Sequence, residues 1–173
     1  MSNQKVGKDA VFRIEIAASI ERVWRELTKT DEAQGAVFNA WLHTSGMKPG
    51  ARMQMRTGTG KHVLVVGEVL EFDPPHRFVH SHRFTEYDDP VCTVAYDLNQ
   101  TGNGVEVTLS VIGMPAGSRT AKSMQTGGPR ILASLKVIAE TGRPALAIRL
   151  VYTMFSALEF VLPKRTRSEY WPL

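Results

Sequence analysis

Apolar and polar residues alternate near the start of the chain. Phe12, Ile14 and Ile16 are separated by Arg13 and Glu15. A period of two buries one face of an extended segment, so residues 11–17 are predicted as a strand. Ser19 then offers a helix N-cap, and Glu21 sits in the first turn, where the helix dipole favours an anion. Ile20, Val23, Trp24 and Leu27 follow at helical spacing. Asp31 reads as the cap of a second, short helix carrying Phe38 and Trp41. Beyond a turn at Gly46–Gly50, Met53 and Met55 face one way while Arg52, Gln54 and Arg56 face the other, which is a second strand. Val63–Phe72 is a long β-branched run, and Asp73-Pro74-Pro75-His76 stops it because proline cannot donate to a ladder. Phe78–Phe84, Cys92–Leu98 and Val105–Ile112 are three more strands, the last two separated by a turn over Asn99–Gly104.

The period then changes. Met124, Gly128, Ile131, Leu135 and Ile138 step by four, three, four and three, one face of a long helix. Gly127-Gly128-Pro129 predicts a kink or a late start, and Gly142 with Pro144 ends the helix. Residues 145–162 predict a further helix roughly 27 Å long. Short connections between consecutive strands make antiparallel hairpins the economical topology. The expected fold is α+β, with an antiparallel sheet of about six strands packed on a long C-terminal helix, plus one extra helix. The expected division is a domain over 1–143 and a helical extension with a basic tail over 144–173.

Hairpin geometry predicts a register. With Phe84 opposite Cys92, His82 faces Val94, His80 faces Tyr96 and Phe78 faces Leu98. With Leu98 opposite Val105, Tyr96 faces Val107 and Val94 faces Leu109. One sheet face is then apolar or aromatic except for the two histidines. The other collects Arg77, Ser81, Arg83, Thr93, Asp97, Glu106, Thr108 and Ser110. A slip of one residue would exchange the faces, so the pattern sets their identity. Either Gly67 or Glu68 lies opposite His82.

Three stretches resemble a known family. They are Ala18-Ser19-Ile20-Glu21-Arg22-Val23-Trp24, the segment Gly67–Val79, and Gly128–Lys136 continuing to Glu140-Thr141-Gly142. Together they resemble the START-like (SRPBCC) superfamily, in the branch named after the activator of the heat-shock-protein-90 ATPase. The resemblance spans about residues 10–143 in the right order. It implies a helix-grip fold like that of the birch-pollen allergen, with a cavity between sheet and long helix. Relatives bind lipids, sterols, hormones or polyketides, and a few catalyse steps such as cyclisation on a bound apolar molecule. Members often carry an aromatic residue where His82 stands and a bulky one where Gly128 stands, so smaller or more polar groups here are expected either to enlarge the cavity or to be repacked. The co-chaperone's separate client-binding domain has no counterpart in this sequence, which counts against chaperone activation.

Composition narrows the function. The 173 residues are 43% hydrophobic and 22% charged, enough for one well-filled core and far from a disordered chain. The net charge is +4, but five basic and two acidic residues from Arg143 onward supply +3 of it. The body therefore lacks the broad cationic face that nucleic acid requires. A single cysteine excludes a disulfide framework and any multi-cysteine zinc site. No secretory signal is visible, so a reducing cytoplasm is expected.

The candidate ligand cavity comprises Trp24, Phe38, Trp41, Met53, Met55, Phe78, His80, His82, Val94, Tyr96, Val107, Leu109, Met124, Gly128, Ile131 and Leu135. His80 and His82 are its main polar feature, side by side on one strand face and roughly 7 Å apart at Cα. They could chelate a metal with Glu68, Glu71 or Cys92 as third ligand, but nothing in the spacing forces one, so no metal and no cofactor is expected. They could equally stand as neutral cavity-wall groups that orient a polar part of an apolar ligand. Cys92 reads as a small buried hydrophobe rather than a nucleophile, and Asp88-Asp89 as a solvated turn. Three function classes follow: a non-catalytic binder of a small apolar molecule, an enzyme of the cyclase or hydrolase type using a histidine as base, and a protein-interaction module. The binder is the preferred reading. The helix at 145–162 has one polar stripe, Arg149, Tyr152, Thr153, Ser156 and Glu159, and is otherwise apolar. It is expected to pack on its own domain, to cap the cavity or to form a homodimer, in preference to lying on a membrane.

Overall fold

The structure, a computed structural model, describes residues 9–173. The elements are β1 (Ala10–Ile16), α1 (Ile20–Thr28), β2 (Trp41–Thr44), β3 (Arg52–Arg56), β4 (Val63–Asp73), β5 (Arg77–Phe84), β6 (Cys92–Thr101), β7 (Gly104–Ile112), α2 (Arg119–Thr141) and α3 (Leu146–Ala157). The strands form one seven-stranded antiparallel sheet in the order β1-β7-β6-β5-β4-β3-β2. Helices α1 and α2 pack on one face and enclose the core, giving the helix-grip α+β arrangement.

Local chemistry sets the boundaries. Ser19 caps α1, its hydroxyl accepting from the Arg22 N–H. Ser118 caps α2 in the same way through Ala121, and Gly142 closes it in the left-handed conformation at φ 84°. The N-terminus of α2 has a second partner, because Asp89 accepts from the Thr120 N–H at 2.7 Å. Asp88 pairs with Arg165. The β5–β6 hairpin tip is thus exposed at Asp88, as its composition suggests, and also contacts α2 and the tail.

Four expectations are corrected. No short helix follows Asp31. Residues 34–40 form a loop held by Gln34, whose amide donates to the Leu27 and Lys29 carbonyls, and Trp41 instead opens a seventh strand. The β-hairpin partners are displaced by two residues. His82 pairs with Cys92, His80 with Val94, Phe78 with Tyr96, Leu98 with Val107 and Tyr96 with Leu109. The cause at β6–β7 is a tight turn at Gly102-Asn103, which extends both strands beyond the expected six-residue loop. An even displacement keeps every side chain on its predicted face. Finally, α2 begins at Arg119 and runs without interruption through Pro129, and the last helix ends at Ala157 rather than residue 162.

The segment after α3 packs back on its own domain. His62 and Arg167 form a β-bridge, and His62 Nδ1 lies 2.8 Å from the buried Thr166 hydroxyl. Gln54 donates to the Trp171 carbonyl, and Arg83 stacks over the Trp171 ring. These contacts cover the outer face of β3–β5. The helix α3 itself has no buried residue and is tied to the body by the Tyr152 hydroxyl, which donates to the Gly35 carbonyl at 2.7 Å.

Candidate functional site

Alternation along β5 sends Phe78, His80 and His82 inward, and each is at most 7% exposed. The rings form a continuous row along this strand. Phe78 and His80 have centroids 5.1 Å apart, His80 and His82 5.8 Å, and His82 and Phe84 4.7 Å in an edge-on arrangement. Tyr96 on the neighbouring strand is also inside, 5% exposed.

Between this row and α2 lies a chamber of about 160 Å³. The sheet contributes Met55, Val65, His80, His82, Phe84, Val94 and Tyr96. The loop contributes Val37 and Phe38, and α2 contributes Ser123, Met124, Gly127 and Ile131 at helical spacing. No lining residue carries a fixed charge.

Burial dominates the electrostatics. It lowers the pKa of His80 to about 4 and that of His82 to about 3, in the latter case helped slightly by the neighbouring His80, so both imidazoles are neutral at pH 7. His80 Nδ1 is 2.9 Å from the Ser81 carbonyl, which can only accept. The proton therefore sits on Nδ1, and Nε2 keeps its lone pair. His82 differs. Both of its ring nitrogens are buried without a hydrogen-bond partner. Burial also raises the Cys92 thiol to about 11, and its sulfur is spent on the His82 carbonyl at 3.6 Å. Among the described residues no group of three His, Cys, Asp or Glu side chains could hold a metal. Glu71 instead faces Arg77 in a salt bridge.

Half of the residues proposed from sequence meet at this chamber: Phe38, Met55, His80, His82, Val94, Tyr96, Met124 and Ile131. The others do not line it. Met53, Phe78, Val107, Leu109 and Leu135 are core residues no more than 1% exposed. Trp24 packs on Phe72 with centroids 5.3 Å apart, and Trp41 stands half-buried at the start of β2. Gly128 does not enlarge the chamber, because a Cβ there would lie 2.4 Å from the Phe12 ring, which fills the space. Its neighbour Gly127 is the glycine on the chamber wall. Val37, Val65, Phe84 and Ser123 were also absent from the sequence-based set. Ser123 and Gly127 stand eight and four residues before Ile131, a signal that the helical period already contained.

The fold and its inward row of rings define a helix-grip protein. The sequence matches the family described as activator of Hsp90 ATPase homolog 1-like protein over residues 17–140, and the chain belongs to that family. No curated protein matches the sequence. Among solved structures, the chain is similar to MLL2253 from Mesorhizobium loti (TM-score 0.62, 20% identity, 75% of this chain and 94% of that one). It is similar to the Aha1 dimer from Colwellia psychrerythraea (TM-score 0.62, 20% identity, 79% and 99%). It also resembles DynU16, a protein in the dynemicin biosynthetic locus (TM-score 0.65, 21% identity, 80% of this chain and 49% of that one). At these identities the likeness is one of fold.

Proposed function

We propose that this protein binds a small, largely apolar molecule in the chamber between the sheet and α2 and performs no chemistry on it. The observation that carries the reading is His82, a buried imidazole with two unpartnered nitrogens in a largely apolar wall whose other polar groups are His80, Tyr96 and Ser123. Buried polar groups normally have partners, and binding sites are apolar pockets with a few convergent polar groups. The enzyme reading has less support, since bases with pKa values of about 3 and 4 accept protons poorly at neutral pH. The similarity to DynU16 agrees with a small-molecule role, and the family description keeps a protein-interaction role as the alternative. Native mass spectrometry of the purified protein tests the proposal. An added mass released on denaturation, or binding of an apolar aromatic probe, is expected. An empty protein that takes up no such probe would refute it.

We further propose that residues 144–173 act as an extension to the family domain, and that the outer stripe of α3 contacts a second copy. Leu146, Leu150 and Met154 repeat every four residues and are 74%, 72% and 52% exposed. A run of this kind is usually covered in solution, and a similar structure is described as a dimer. Light scattering is expected to give a dimer that the pair Leu150→Glu and Met154→Glu converts to monomer. A monomeric parent protein would contradict this. No described helix is long and apolar enough to cross a membrane. A cytoplasmic setting is proposed on the ground that the one cysteine is free and buried.

A further inference from the structure

The character of the chamber narrows the ligand, given the binding reading above. Its volume of about 160 Å³ is close to that of an apolar cavity that admits one benzene ring. Its walls include Phe38, Phe84 and Tyr96, which favour edge and face contacts with another ring. The only lining group with two orphaned polar atoms is His82. A neutral imidazole presents one donor and one acceptor. A hydroxyl presents the same pair and can satisfy either nitrogen. A carboxylate only accepts and an ammonium only donates, and each would bring an ionic charge into a space whose walls hold none to offset it. Water could satisfy His82 but would leave the apolar walls wet. A hydroxylated ring answers both.

Phe38 shows how such a molecule could be larger than the chamber. It is a wall of the chamber and also of grooves of about 340 and 470 Å³ beside α3. Its φ of 52° is one that bulky residues rarely adopt, and it is 46% exposed. A substituent on the ring therefore has apolar space on the far side of a single side chain.

We infer that the chamber recognises a neutral phenol-like ring, with His82 hydrogen-bonded to its hydroxyl and any apolar substituent directed past Phe38. The experiment compares three probes, 4-propylphenol, propylbenzene and 4-propylbenzoate, by titration calorimetry on the intact chain and on His82→Leu. In the parent protein 4-propylphenol should bind about tenfold more tightly than propylbenzene, the worth of one buried hydrogen bond, and 4-propylbenzoate should bind most weakly. In His82→Leu the phenol preference should vanish while propylbenzene affinity is kept. Equal affinities in the parent, a preference that survives in His82→Leu, or tightest binding of the benzoate would each overturn the inference while leaving apolar binding intact. Failure of both neutral probes to bind would instead overturn the binding reading itself. If His82→Leu does not fold, the imidazole ¹⁵N shifts of His82 in the parent decide: they should move with 4-propylphenol and not with propylbenzene, and identical responses would refute the role of His82.

Discussion

Replacing His82 with leucine should make the empty protein more stable and less sensitive to acid. Two ring nitrogens of His82 are buried without partners, and an unsatisfied buried polar atom costs about 1–3 kcal/mol. Leucine has a similar size and no polar atom, so His82→Leu should gain about 1–3 kcal/mol at pH 7.5. The pH dependence gives an independent check. The folded pKa of His82 is lowered to about 3, by burial first. The unfolded chain, with a histidine pKa of about 6.5, binds the proton first as pH falls. Stability is therefore present in full above about pH 6.5 and declines below it, because protons favour the unfolded chain. From pH 7.5 to 5.5 the loss is about 1 kcal/mol for His82, and His80 adds a similar amount because its folded pKa is also well below 5.5. Other groups titrate identically in both proteins, so the difference isolates His82. Urea melts of parent and variant at the two pH values measure this. A variant that is less stable at pH 7.5, or that declines as steeply as its parent, would refute the picture of a neutral, unpartnered imidazole.

Three other substitutions probe the frame of the chamber. Gly67→Ala should destabilise the fold by about 3 kcal/mol or more in urea melts, because a Cβ there would sit 2.0 Å from the Ser81 carbonyl oxygen and the strand itself would have to move. Gln34→Leu should cost about 2 kcal/mol, since it leaves the Leu27 and Lys29 carbonyls without their shared donor, and hydrogen exchange should rise across residues 34–40. Thr166→Val should cost about 1 kcal/mol by removing the contact to His62, and limited proteolysis should then cut the tail faster than in the parent.

Much of the fold could be read from the chain because its signals are local or periodic. Ser19, Gly142 and the alternation through β5–β7 act on their immediate neighbours, and the structure places them as expected. What escaped leaves no periodic mark in the sequence. The loop at 34–40 follows from a buried glutamine amide that reaches back seven residues, which no periodicity reports. The hairpin register was displaced by two because a two-residue turn and a six-residue turn share the same composition over Asn99–Gly104. For the chamber, the facing direction of His80, His82 and Tyr96 was legible. Its extent along the sheet was not, since Phe12 filling the space at Gly128 and the core closing around Phe78 are tertiary packing.

On the proposed reading, a small apolar molecule lodges between β5 and α2. Intermolecular nuclear Overhauser effects with 4-propylphenol test it most directly. The ring protons should contact the methyl groups of Met55, Val94 and Met124, all on the chamber wall. Contacts confined to Val151 and Phe155 of α3, with none to those three, would contradict it.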